Sequence, residues 1–156
     1  MKTKFAYILT LFGCLISPVT MAEPIPKSGF TVAVISEEPS SVAIKNGLYK
    51  KGLSLISKRD NANPFYQAMN LCVVSIKSDA LNDSGEACNK AVKLISNIKK
   101  PNTSRLKAIA YSNRAIKNYL SNDINRAEMD FKRAAALSND KVVVKNVKYF
   151  NELLDL

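Results

Sequence analysis

From Val42 to the end of the chain, apolar residues recur every three or four positions, the period of helices with one buried side. Leu48, Leu53, Leu55 and Ile56 mark such a stripe on residues 47–58, which Asn61 to Pro64 ends. Phe65, Met69, Cys72, Val73 and Ile76 lie mainly on one side of residues 65–78, and Ala87, Cys88, Ala91, Val92 and Ile95 follow helix spacing within 85–98. Two more helices are expected at 105–121 and 124–137, and a last at 141–154 with Ser138-Asn139-Asp140 as its cap. The breaks are short and rich in turn formers: Asp79 to Asp83, Pro101-Asn102 and Asn122-Asp123. The pattern predicts an all-α domain over residues 44–156, built of antiparallel helical hairpins.

The first 43 residues read differently. Lys2 and Lys4 precede an apolar run from Phe5 to Ile16, Ser17-Pro18 breaks it, and Thr20-Met21-Ala22 offers small residues before Glu23. That order is the pattern of a secretory signal peptide cleaved after residue 22. The run falls short of the about 20 residues that a membrane helix needs. Leu11-Phe12-Gly13-Cys14 resembles a lipobox, so a lipid anchor at Cys14 is the alternative, though Phe12 is bulky there and Leu15 and Ile16 continue the apolar run. Either way the product is exported, to the periplasm or beyond. Residues 23–43 carry Pro24, Pro26 and Pro39. They predict a flexible or loosely docked arm whose apolar patch, Phe30 to Ile35, can rest on the body.

Charge narrows the partners only a little. The formal net charge is +10, and loss of Lys2 and Lys4 with the leader keeps it strongly basic. Such a balance suits anionic envelope surfaces, but the lysines are spread over every helix among acids, as on solvated faces. No nucleic-acid-binding module is present, and no later segment approaches a membrane span. Cysteine use is more informative. Cys72 and Cys88 remain as one pair in an oxidising compartment, so a single connectivity is available. The two flank the turn at Ala80 symmetrically, and facing Cα atoms of packed helices, whose axes run about 8–10 Å apart, approach to roughly 4–5 Å. That separation suits a disulfide.

Chemistry is hard to find. The chain has no histidine, which excludes His-based triads and most zinc sites. Acids such as Asp79, Asp83, Asp123 and Asp140 sit where turns and caps want them. No phosphate-cradling glycine loop or serine elbow occurs. No catalysis, cofactor or metal is expected.

Residues 108–139 bring a resemblance. Tyr111, Arg114-Ala115, Asn122-Asp123, Ala127, Phe131, Ala134 and Leu137 follow the spacing of a tetratricopeptide repeat (TPR). The departures are Arg114 where Leu is usual, Asn118 with Tyr119 one place after the second aromatic position, and Asn139 for Pro. A fainter earlier repeat aligns Leu71-Cys72, Ser84, Cys88 and Ala91 with it. The step of about 43 residues exceeds the family's about 34. Asn46-Gly47-Leu48-Tyr49 with Gly52-Leu53 looks like the turn and second helix of a still earlier half repeat. The chain is thus similar to small exported bacterial TPR proteins with a cysteine in each helix of the penultimate hairpin. The resemblance implies hairpins stacked as a short right-handed array, closed by a capping helix at 141–154.

It also implies a concave groove lined by the first helix of each hairpin. Asn70, Val73 and Lys77 would line it from one repeat, and Ser112, Asn113, Ile116, Lys117 and Tyr119 from the next. Asn70 and Asn113, equivalent in the two repeats, either brace the hairpins or hold a peptide main chain. Three functions remain: a module that binds an envelope peptide or protein in this groove, a basic binder of anionic envelope surfaces using Lys99, Lys100, Lys132 and Arg133, and a thiol-disulfide enzyme at Cys72 and Cys88. The first accounts for most of the pattern.

Overall fold

The computed structural model describes residues 29–36, 38–58, 63–78, 85–98 and 103–154. The leader at 1–22, the lipobox cysteine, most of the turn between the two bridged helices, and Lys99 and Lys100 lie outside these residues. Among the described residues there are seven helices and no strand: α1 (Pro39–Lys45), α2 (Tyr49–Ser57), α3 (Pro64–Lys77), α4 (Glu86–Ser96), α5 (Ser104–Leu120), α6 (Ile124–Leu137) and α7 (Lys141–Leu153). The fold is all-α.

The ends of these helices follow from local chemistry. Pro39 and Pro64 stand at the first turn of α1 and α3, where a missing N–H costs nothing. The side chains of Asn63, Asp123 and Asp140 accept from the backbone N–H of Phe65, Arg126 and Val142, capping α3, α6 and α7. Only three residues join α5 to α6, and Asn122 turns the chain there with φ of 62°, a left-handed conformation that Asn tolerates better than most residues. One helix was not legible. Pro39-Ser40-Ser41 reads as a break, yet the proline opens α1, so the helical body begins several residues before position 44.

Packing follows the expected stripes from α3 onward. In α2, Leu53 and Ile56 rest half-buried on a cluster with Ile44, Val73 and Val74, but Leu48, expected on the same buried side, is exposed. α5 touches α3, α4, α6 and α7 and is the hub of the body. One apolar cluster joins Phe65, Ala68 and Met69 of α3 to Ala91, Val92 and Ile95 of α4, Ala108 and Ile109 of α5, Ala134 of α6 and Val143 of α7. A second gathers Cys72, Ile76, Cys88, Ala115, Ile116, Tyr119, Ala127, Phe131 and Phe150. Ala91, Ala115, Ala127 and Ala134 are fully buried, and side chains this small let neighbouring helix backbones approach closely. The bridge expected between α3 and α4 is present: Cys72 and Cys88 are bonded, with Cα atoms 4.6 Å apart.

Residues 29–36, expected within a flexible or loosely docked arm, form an extended segment. Phe30 belongs to the second cluster, Ala33 and Ile35 pack on the first, and Val32 and Val34 lie against Ile44, Val73 and Val74 in a third. The segment therefore crosses the body from α7 and α5 towards α3 and α1.

Candidate functional site: a groove that holds extended main chain

Two buried asparagines define the site. Asn113 of α5 accepts from the Ala33 N–H through Oδ1 at 3.0 Å and donates from Nδ2 to the Ala33 carbonyl at 2.9 Å. Asn146 of α7 does the same to Thr31, at 2.7 and 2.9 Å. Each carboxamide thus pairs with the N–H and C=O of a single residue, as a residue of a neighbouring antiparallel strand would. In an extended chain, alternate residues direct their N–H and C=O to the same side, about 6.8 Å apart. Residues 31 and 33 are such a pair, so asparagines on two adjacent helices read every second residue of one segment. The contacts use main chain only, so they fix conformation and register and leave side-chain choice to the surrounding pockets.

Ser112 supports this pairing, since its Oγ accepts a second bond from Asn146 Nδ2 at 2.9 Å. That bond orients the Asn146 amide with its oxygen towards the Thr31 N–H.

The aromatic end of the groove supplies the anchor. The ring of Phe30 lies 5.3 Å from Tyr119, 5.8 Å from Phe131 and 4.7 Å from Tyr149, edge-on to the two tyrosines and stacked with Phe131. Phe150 closes the cluster, 4.8 Å from Phe131 and 5.9 Å from Tyr119. Aromatic pairs at these separations contribute beyond their buried area. Burial, reinforced by the neighbouring Tyr149, raises the Tyr119 hydroxyl above the usual tyrosine value. Gly29 precedes the anchor with φ of +113°, and a Cβ there would stand 2.2 Å from the Tyr149 ring. Only glycine fits against that ring.

The residues anticipated from sequence divide by location. Asn113, Tyr119, Ile116 and Val73 meet the segment or the clusters that receive it. Lys77 lines a cleft of about 220 Å³ beside it, with Val32, Val34, Ile44, Lys45, Tyr49 and Val73. Asn70 is turned to a different use: its amide bonds the hydroxyls of Ser40 and Ser41 at 3.2 and 2.8 Å, bracing α1 on α3. Lys117 carries its aliphatic stem over Gly85 at the start of α4. Asn146, Tyr149 and Phe150 were missed because residues 141–154 read as a closing helix without a groove role. Spacing holds one hint, since Asn146 follows Asn113 at about the 34-residue period of the repeat pattern that the sequence resembles.

Elsewhere the described residues offer little reactive chemistry. The two bridged sulfurs belong to fully buried residues, so an attacking thiolate has no path to them in the folded state. Lys132 and Arg133, the residues of the alternative anionic-surface reading, pair with Glu128 and Asp130 of their own helix. No helix among the described residues is long and apolar enough to cross a membrane, and the disulfide fits an oxidising compartment. No protein-family model, curated protein or solved structure matches the chain.

Proposed function

We propose that this chain is an exported, TPR-like interaction module of the cell envelope that holds an extended segment of a partner protein on the face made by α3, α5 and α7, without catalysis. The paired amides of Asn113 and Asn146 carry this reading, because each satisfies both the N–H and the C=O of one residue in an extended chain. Asn70 shows that a buried carboxamide can also brace one helix on another, but it meets side-chain hydroxyls, whereas Asn113 and Asn146 meet main chain. Buried carboxamides aimed at main chain are what a surface that binds peptides by conformation requires. In this reading α3–α4 and α5–α6 are successive repeats, α1–α2 is a shortened first repeat, and α7 closes the array while contributing the last asparagine. The leader at 1–22 delivers the protein to the periplasm, where the bridge forms.

The test is site-specific photocrosslinking in intact cells. A photoreactive residue at Tyr49 or Lys77, beside the groove, is expected to capture a discrete envelope protein, whereas one at the exposed Met129 of α6 is not. Equal labelling from both places, or none from the groove edge, rejects the reading.

A further inference from the structure

The occupant already seated in the groove states what the groove accepts. We propose that its ligands in trans are extended segments of the class glycine, aromatic residue, then at least five mostly aliphatic residues with no basic one among them, and that residues 29–36 are the built-in version which such a partner displaces. This rests on the groove reading above and adds the ligand's chemistry and its competitor.

Each part of the class has its cause on the page. Glycine is required because a Cβ would collide with the Tyr149 ring and because φ is positive there. The aromatic residue fills the space between the rings of Tyr119, Phe131 and Tyr149. The first and third residues after it are held by Asn146 and Asn113 through main chain alone. The intervening side chains, Val32 and Val34, meet Ile44, Val73 and Val74, and Ala33 and Ile35 meet the first cluster. At 33 and 35 a charge would enter an apolar contact without a partner, and at 32 and 34 a basic residue would face Lys45 and Lys77. The segment precedes Pro39, the first residue of α1, and contributes no residue to any helix, so its release breaks no helix.

The experiment uses the full mature chain and a fluorescent synthetic peptide of residues 29–36. In the Phe30→Asp chain the built-in segment is unseated, and this variant is expected to bind the peptide at least tenfold more tightly than wild type. A peptide with Asp in the aromatic place, or Ala in the glycine place, should bind at least tenfold more weakly, as should the wild-type peptide to the Phe30→Asp, Asn146→Ala chain. A folded Phe30→Asp chain that ignores the peptide, or binds the Asp peptide equally well, overturns the proposal. So does a concentration-dependent dimer of the wild type that forms by exchanging its segments, since the occupant in trans is then a second copy. Should Phe30→Asp fail to fold, hydrogen exchange on the wild type decides. Thr31 and Ala33 amides exchanging at least a hundredfold faster than those of central α5 support a displaceable segment, and exchange in step with α5 makes it permanent core. Crosslinking at Tyr49 without peptide discrimination refutes this inference and leaves the broader function standing.

Discussion

The α3–α4 and α5–α6 pairs are one kind of unit held shut by two different means. α3–α4 has a longer connection, residues 78–85, and closes with a buried disulfide between Cys72 and Cys88. α5–α6 has a three-residue turn and closes with alanine contacts and a buried ion pair. Arg114 grips Asp130 through Nε at 2.7 Å and Nη2 at 2.8 Å, while Asn118 and Arg133 add weaker bonds at 3.3 and 3.5 Å. Arg114 also lies over the Tyr111 ring, 5.4 Å from its centre. The long link leaves more closure entropy to be removed, which a covalent bridge does. The short turn needs no bridge, and its pair is fixed by direction-dependent polar contacts instead. Arg114 and Asn118 thus belong to one arrangement, a network around the single Asp130 carboxylate.

The largest expected effect breaks that network. Arg114→Met leaves Asp130, about 2 % exposed, without its main partner, and removing one member of a buried pair costs about 3–5 kcal/mol. Urea denaturation should show the loss as a lower midpoint. The double variant Arg114→Leu with Asp130→Leu should recover most of it, because apolar groups of similar volume often replace buried pairs without loss. A double variant as unstable as the single one would mean the network does more than close the hairpin.

Next comes the bridge. Cys72→Ala with Cys88→Ala should cost about 3 kcal/mol by the chain-entropy account for a loop of this length. Urea midpoints compare it directly with Arg114→Met. A bridge deletion costing well under 1 kcal/mol would show that packing alone closes the α3–α4 pair, and the contrast between the two units would then lapse.

Much of this architecture was legible in the sequence. Five helices from residue 64 onward fall within two or three residues of the apolar stripes and turn signals that predict them, because period and caps agree at each. Cys72 with Cys88 was readable as well, since two cysteines placed evenly about a turn have one way to pair. α1 was hidden because proline and serine serve equally to break a helix and to begin one. The groove was half legible. Asn113 could be placed on the right helix face, but its partner could not, because a hydrogen bond to main chain leaves no signature in the side chains of residues 31 and 33. Asn70 and Asn113 also look alike in sequence and differ only in what crosses them: α1 over the former, an extended segment over the latter.

That difference between Asn70 and Asn113 extends to Asn146 and supplies the third prediction. Asn70→Ala and Asn146→Ala each strand buried partners, at a cost of about 1–3 kcal/mol. Equilibrium stability should therefore not tell them apart. Amide exchange should: Asn146→Ala is expected to speed exchange at Thr31 and Ala33 at least tenfold, whereas Asn70→Ala loosens α1 and leaves those two amides nearly unchanged. If both variants release residues 29–36 equally, α1 and the segment form one unit rather than two.

The smallest effect concerns acid, and it acts at the start of α7. Burial works to raise the Asp140 carboxyl, but hydrogen bonds from Val142 and Val143 N–H and from Arg105, with the Arg105 charge, outweigh it and hold the group below the usual carboxylate value. A depressed folded value means that its contribution is full above the unfolded value, about 3.9, and is lost as pH falls through the folded one. Acid should thus weaken both the α7 cap and the 2.7 Å tie from α5 that Arg105 makes, next to the helix that carries Asn146. Asp140→Asn keeps a capping oxygen but removes the charge, so it should abolish this part of the acid sensitivity while costing less than the about 1 kcal/mol of a lost cap. The Val142 amide shift, followed by NMR from pH 6 down to 2, reports the cap directly. In wild type it should move with a midpoint below the ordinary carboxylate range, and in Asp140→Asn it should stay flat. A midpoint at or above that range would mean that burial prevails over the bonds, and α7 would then be held on α5 by packing rather than by its first turn.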